Sequence, residues 1–173
     1  YAYLGRMEKA KAASEELNQE EVFLNLNFLD QFASRFKKEE DRKHYIEGFR
    51  KAGVPEFAPG FEGDKANMLS TDEIRKLLVG KISTGYAQPA DFDKGHIPQW
   101  WTHWRADGSC NTSGFWKDSC VYRIENNKFY LKYSELVDGQ WTWWYIFRNP
   151  DGTAKELNEY FMVGRFIQPF SVQ

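Results

Sequence analysis

The hydrophobic pattern divides the chain into two regimes. Up to about residue 52 the apolar side chains recur at helical spacing. Met7, Ala10, Ala13 and Leu17 form a sparse stripe, and Val22, Phe23, Leu26, Leu29, Phe32, Ala33 and Phe36 form a denser one. Asn18 is placed to cap the second of these helices, with Glu20 and Glu21 in its first turn, where carboxylates favour the positive end of the helix dipole. The mixed-charge run over 37–43 reads as a solvated helix face. Tyr45, Ile46 and Phe49 resume the apolar side, and Gly53 and Pro55 end the helix. Residues 53–68, rich in Gly and Pro, read as a connection. Ser70-Thr71-Asp72-Glu73 then carries a capping-box pattern ahead of a short helix through Ile74, Leu77, Leu78 and Val79 to Gly80.

From about Lys81 the period falls to two. The pattern predicts strands over 100–105, 115–125, 128–134, 140–148 and 159–167, with 170–173 as a short edge segment. Asp107-Gly108, Asn126-Asn127, Asp138-Gly139 and Asn149-Pro150-Asp151-Gly152 supply the turns. Cys120, Tyr122 and Ile124 share one face and are answered by Phe129, Leu131 and Tyr133. Trp141, Trp143, Tyr145 and Phe147 make an aromatic file, and Tyr160, Met162, Gly164 and Phe166 make another. The opposite phase carries Arg123, Lys128, Lys132, Arg148 and Arg165, but also Trp144, Ile146, Phe161 and Val163. The last two long strands are thus apolar on both faces and require a cover, either the helical segment 6–52 or a partner protein. The strand-ending segments 99–108 and 140–152 echo one another as two similar aromatic arms.

The fold class that follows is α+β: a helical N-terminal extension (1–52), a connection (53–68), and an antiparallel β domain (69–173) opened by a short capped helix and forming a small barrel or half-barrel. Composition adds one unusual feature, 17% aromatic residues with 14 Phe, 9 Tyr and 7 Trp. Rings in that number fill a small barrel core or line a ligand pocket or partner interface. The net charge of −2, from 23 basic and 25 acidic residues, leaves no dominant basic face and argues against nucleic acid. No apolar run reaches the length of a membrane span.

The chain opens Tyr-Ala-Tyr-Leu without an initiator Met, as expected of a mature chain whose export signal has been removed. Cys110 and Cys120 flank a short segment and are expected to be oxidised in an exported protein, closing a loop worth roughly 2–3 kcal/mol; the alternative is two buried thiols in a cytosolic one. Asn111-Thr112-Ser113 is a glycosylation sequon, relevant only in a eukaryotic secretory pathway.

The order Leu69-Ser70-Thr71-Asp72-Glu73-Ile74 with Leu78-Val79-Gly80, then the stretch 101–108, Gly114-Phe115-Trp116 and Cys120-Val121-Tyr122, resembles short exported bacterial domains common in alphaproteobacteria. They share a capped helix ending L-x-G, an aromatic-x-x-D-G hairpin, G-x-W and a Cys-bearing strand. Over residues 69–165 the resemblance implies a periplasmic or secreted, lipocalin-like (calycin-like) β domain. It implies no active site, because most of these domains have no assigned activity.

Signs of catalysis are sparse. His44, His96 and His103 match no metal-ligand spacing. No G-x-S-x-G elbow, H-E-x-x-H pair or P-loop occurs, and no cofactor is expected. Asp91, Asp93, Asp107, Asp118, Asp138 and Asp151 read mostly as turn residues, several beside Gly or Pro. Binding is the better class. Trp100, Trp101, Trp104, Trp141, Trp143, Trp144 and Tyr145 are the candidate ligand or partner contacts. The leading expectation is a non-enzymatic accessory or structural subunit that meets a protein partner or a second copy. The first alternative is a carrier of a small apolar or sugar ligand, its pocket lined by Trp141, Trp143 and Tyr145. The second is an uncharacterised hydrolase with an acidic pair facing a cleft.

Overall fold

The computed structural model describes residues 6–19, 24–86, 99–114, 116–135 and 139–173, apart from the side chains of Met7, Ser14, Leu17, Asn18 and Gln19. Glu20, Glu21, Val22, Phe23, Asp91, Asp93, His96, Phe115 and Asp138, singled out above, lie outside the described residues. The elements are α1 (Met7–Gln19), α2 (Leu26–Ala33), α3 (Glu39–Lys51), α4 (Thr71–Leu78) and eight strands: β1 (Ile82–Tyr86), β2 (Gln99–Trp104), β3 (Ser109–Gly114), β4 (Asp118–Glu125), β5 (Lys128–Tyr133), β6 (Thr142–Arg148), β7 (Tyr160–Val163) and β8 (Ile167–Val172). They fall into two compact units. One comprises 1–62 with Gly164–Ile167, the other 63–163 with 168–173.

The helical unit is built on a small apolar cluster of Leu24, Leu26, Leu29, Ala33, Ile46 and Val54, with Tyr45 and Phe49 against it. Asn25, not Asn18, caps α2, because α1 runs on through Asn18 to Gln19. The fully buried Asn25 side chain accepts from Phe28 N at 2.9 Å and donates to the Arg165 carbonyl at 3.1 Å. Its extended backbone leaves the helix register just before the apolar run begins. Arg42 on α3 reaches Asp30 on α2 through Nε at 2.9 Å and Nη2 at 2.7 Å, a forked contact across the helix pair.

The second unit is a closed, eight-stranded antiparallel barrel in which each strand lies beside the next in sequence and β1 pairs with β8. Period two holds strictly around the first half. Ser83 on β1, Trp100, Thr102 and Trp104 on β2, Cys110 and Thr112 on β3, and Cys120, Tyr122 and Ile124 on β4 all point inward and are buried. Phe129, Leu131, Ile146, Met162 and Phe170 complete the core. The Trp104 ring meets Tyr122 and Phe129 edge-on, with centroids 5.4 and 5.0 Å away. Its indole N–H donates to the buried Ser83 hydroxyl at 2.8 Å.

Helix α4 closes the end of the barrel at the β4–β5 turn. Its capping box is formed, with Ser70 and Glu73 bonded reciprocally. Ile74 and Leu78, one turn apart, are buried in the barrel core. Thr71 N donates to Asn127 Oδ1 at 2.9 Å, and Asn127 N donates to Thr71 Oγ1 at 2.9 Å. Asn126 and Asn127 both adopt positive φ (53° and 57°), as the tight hairpin turn requires.

Four expectations are corrected. Ser109–Gly114, absent from the predicted strands, is a full strand. Its inward Thr112 is a hydroxyl residue that gives no apolar signal and is held by Thr102 Oγ1 at 2.9 Å. The stretch 159–167 is not one strand: a turn at 164–166, closed by Gly164 N on the Phe166 carbonyl at 3.0 Å, divides β7 from β8. The segment 170–173 is no edge, since Phe170, Ser171 and Val172 pair with β1 and seal the ring. On β6 the phase is reversed. Trp144 lies opposite the inward Phe129 and Trp143 opposite Tyr130, so Trp144 and Ile146 face the core while the file of Trp143, Tyr145 and Phe147 faces out.

Gly85 shows how tightly the barrel is filled. A Cβ built there would stand 2.6 Å from both the Pro169 carbonyl and Trp100 Cζ2. Gly85→Ala is therefore expected to cost about 1–3 kcal/mol through overpacking. Thermal unfolding of the variant checks this; an unchanged Tm would show that the Trp100 ring has room to move.

Candidate functional site

The seven aromatic candidates do not converge on one site. Trp100, Trp104 and Trp144 point into the barrel, while Trp101, Trp143 and Tyr145 project from its outer wall. Trp141 lies just before β6, with the Arg123 guanidinium 4.7 Å over its ring. The same guanidinium lies 4.7 Å from the Tyr130 ring, and Lys128 Nζ is 5.3 Å from both Trp143 and Tyr145. Two cations of the chain thus lie over Trp141, Trp143 and Tyr145, contacts of about 0.5–1 kcal/mol or more each. Phe147 is 1% exposed and is paired with Met68 instead, and Leu69 N donates to the Ile146 carbonyl at 2.8 Å, so the segment before α4 runs along β6.

The three inward tryptophans share a small cavity with Thr102, Trp116, Leu131, Tyr133, Met162 and Gln168. Its volume is about 20 Å³, room for roughly one water molecule. Burial pushes the Tyr133 hydroxyl up to about 12, so the group is neutral at physiological pH. Gln168 is 8% exposed and brings an amide to this otherwise largely aromatic and apolar lining. Trp116, Tyr133 and Gln168 were not among the sequence candidates. The signals were present but faint: Trp116 sits in the G-x-W motif, and Gln168 takes the inward phase two residues before Phe170.

Cys110 and Cys120 are joined as a disulfide between directly opposed positions on β3 and β4, their Cα atoms 4.8 Å apart. Both are buried in the core. The carboxylates whose acidity is shifted serve local structure. The Ser70 backbone and hydroxyl hold Glu73 below its usual range at the α4 cap, and the Ser109 hydroxyl and amide do the same for Asp107 in the β2–β3 turn. His103 is exposed on the outer wall of β2. Among the described residues no three His, Cys, Asp or Glu side chains gather as metal ligands would. No helix among them is long and apolar enough to cross a membrane.

No protein-family model, curated protein or solved structure matches the chain.

Proposed function

We propose that this chain is a non-enzymatic accessory module, periplasmic or secreted, that works by surface contact with a protein. The observation that carries this reading is the packed barrel core: among the described residues, the cavity beside the inward tryptophans holds about 20 Å³. The barrel's binding capacity is thereby directed to the outer surface. The helical unit offers a contact point in Phe32 on α2 and Phe36 in the connection to α3, both exposed, with Phe36 edge-on to Tyr45. The Cys110–Cys120 bond supports an oxidising compartment. The sequential order of the eight strands supports kinship with lipocalin-like exported domains.

Light scattering across a concentration series, with and without proteins recovered from the native periplasm or medium, tests this. The expectation is a stable higher-mass species that Phe32→Ser/Phe36→Ser abolishes. A strictly monomeric chain with no stable partner would refute the proposal.

A second reading, a small-ligand binder, is favoured by Gln168 and the rings around the cavity. Titrating tryptophan fluorescence with small apolar compounds and sugars separates the two readings, since only a ligand entering the cavity would be lost with Gln168→Leu. A hydrolase requires an acidic pair facing a cleft, and the residues lining this cavity include no carboxylate.

A further inference from the structure

Among the described residues, the outward positions of β1, β2, β3 and the first half of β4 carry no charged side chain. The three outward positions on each of β1, β2 and β3, and the first two on β4, hold no Asp, Glu, Lys or Arg. Charged residues make up 28% of the chain, so a neutral run of this extent on the exposed side of a sheet is unusual for it. Charge resumes at the borders. Val121 faces Lys132 on β5, Arg123 and Glu125 follow on β4, and Arg105 reaches from the turn along β3 to Ser109 Oγ and Asn111 Oδ1, each at 3.4 Å.

The wall is also organised around one ring. Trp101 is 47% exposed. It stands in register between Thr84 on β1 and Ser113 on β3, so a hydroxyl residue flanks it on each side. The ring is supported from below at Gly114, where Trp101 Cζ3 lies 3.0 Å from the place a Cβ would take. Glycine at that position lets the indole lie against the strand. The indole edge is thus seated against Gly114 while nearly half of the residue is open to solvent. Ile82 and Val121, 41% and 46% exposed, are the wall's other prominent apolar groups. The remaining outward positions are mostly hydroxyl and amide residues.

We infer that this wall binds a neutral, hydroxyl-rich polysaccharide, with a sugar ring stacked on Trp101 and hydrogen-bonded by Thr84 and Ser113. Three observations select this occupant. With its charged neighbours confined to the borders, the centre of the wall around Trp101 offers none of the salt links that an anionic polymer would need. The predominance of hydroxyl and amide groups suits a partner made of hydroxyls and is poor cover for a lipid surface. The size is wrong for a protein: four strands by five residues span roughly 14 by 17 Å, far short of the about 800 Å² that each partner gives a stable protein complex. A thin chain of sugars needs no more than such a strip. The inference goes beyond the proposed protein contact and stands or falls apart from it.

Native affinity electrophoresis of the full chain through gels containing hydroxyethyl cellulose, galactomannan or dextran, with anionic polygalacturonate as comparator, tests the inference. Retardation is expected in at least one neutral gel, equal at about 50 and about 500 mM NaCl because no ion pairs are involved. Trp101→Ala is expected to weaken it by about tenfold or more. Thr84→Val/Ser113→Ala, which keeps the ring and suits a strand, is expected to weaken it measurably; thermal melts of both variants verify that they are folded. No retardation of the wild type in any neutral gel would overturn the inference. So would retardation confined to polygalacturonate, binding undiminished in both variants, or a Trp101→Ala effect seen only as loss of self-association in light scattering.

Discussion

Trp104→Ala is expected to remove about 3–5 kcal/mol of stability, the range for deleting a large buried ring, and to be among the most damaging single truncations of the barrel. Two contributions add at this position. The ring is 2% exposed and packs edge-on against Tyr122 and Phe129, so its removal leaves a void between two aromatic neighbours that cannot easily collapse. Its indole N–H is also the donor to Ser83 Oγ, and truncation strands that hydroxyl inside the barrel. Urea denaturation followed by far-UV circular dichroism measures the loss. Trp104→Phe, which keeps a ring but not the donor, is expected to fall between wild type and Trp104→Ala. A loss below about 1 kcal/mol for the alanine variant would mean the core does not pack around this indole.

The second large effect is expected from opening the Cys110–Cys120 bond. A closed loop of this length restricts the unfolded chain by about 3 kcal/mol in the chain-entropy account. The bond also joins the strand with the weakest apolar signal to its neighbour. Inward on β3 stand only Cys110 and Thr112 ahead of Gly114, whereas β4 contributes Cys120, Tyr122 and Ile124. Cys110→Ala/Cys120→Ala is therefore expected to lower the urea midpoint by an amount equivalent to about 2–4 kcal/mol. Amide exchange is expected to accelerate first along Ser109–Gly114. Equal midpoints for the oxidised wild type and the double variant would show that the link does not constrain the unfolded chain.

Much of the barrel was readable because alternation and turn chemistry agree in most of its strands. The Asn126-Asn127 turn, the Ser70–Glu73 cap and the inward phase of β4 and β5 each follow from local residues with a mechanism. The phase of β6 did not follow, because Trp143, Trp144, Tyr145, Ile146 and Phe147 are apolar in both phases. What decides it is pairing with β5, a long-range fact that no local period contains. β3 was obscured for the opposite reason: its inward side is satisfied by a hydroxyl pair and a sulfur link rather than by bulk. The same ambiguity scattered the candidate contacts. Counting tryptophans marks residues that can stack, but only strand register separates those that fill the interior from those that look outward. The cavity's Gln168 and Trp116 became visible only when β8 and the β3–β4 connection were brought to the same end of the barrel.

The pairing of β1 with β8 bears on how the domain is made. A meander can zip locally, hairpin by hairpin, from β2 onward, but the contact that turns it into a cylinder joins its first strand to its last. Until β8 has left the ribosome or crossed a translocation pore, β1 and β7 present raw backbone to any other chain nearby. The interval between the appearance of these strands is the period in which the nascent protein is most exposed to mispairing, and a chaperone that shields β1 would be needed most then.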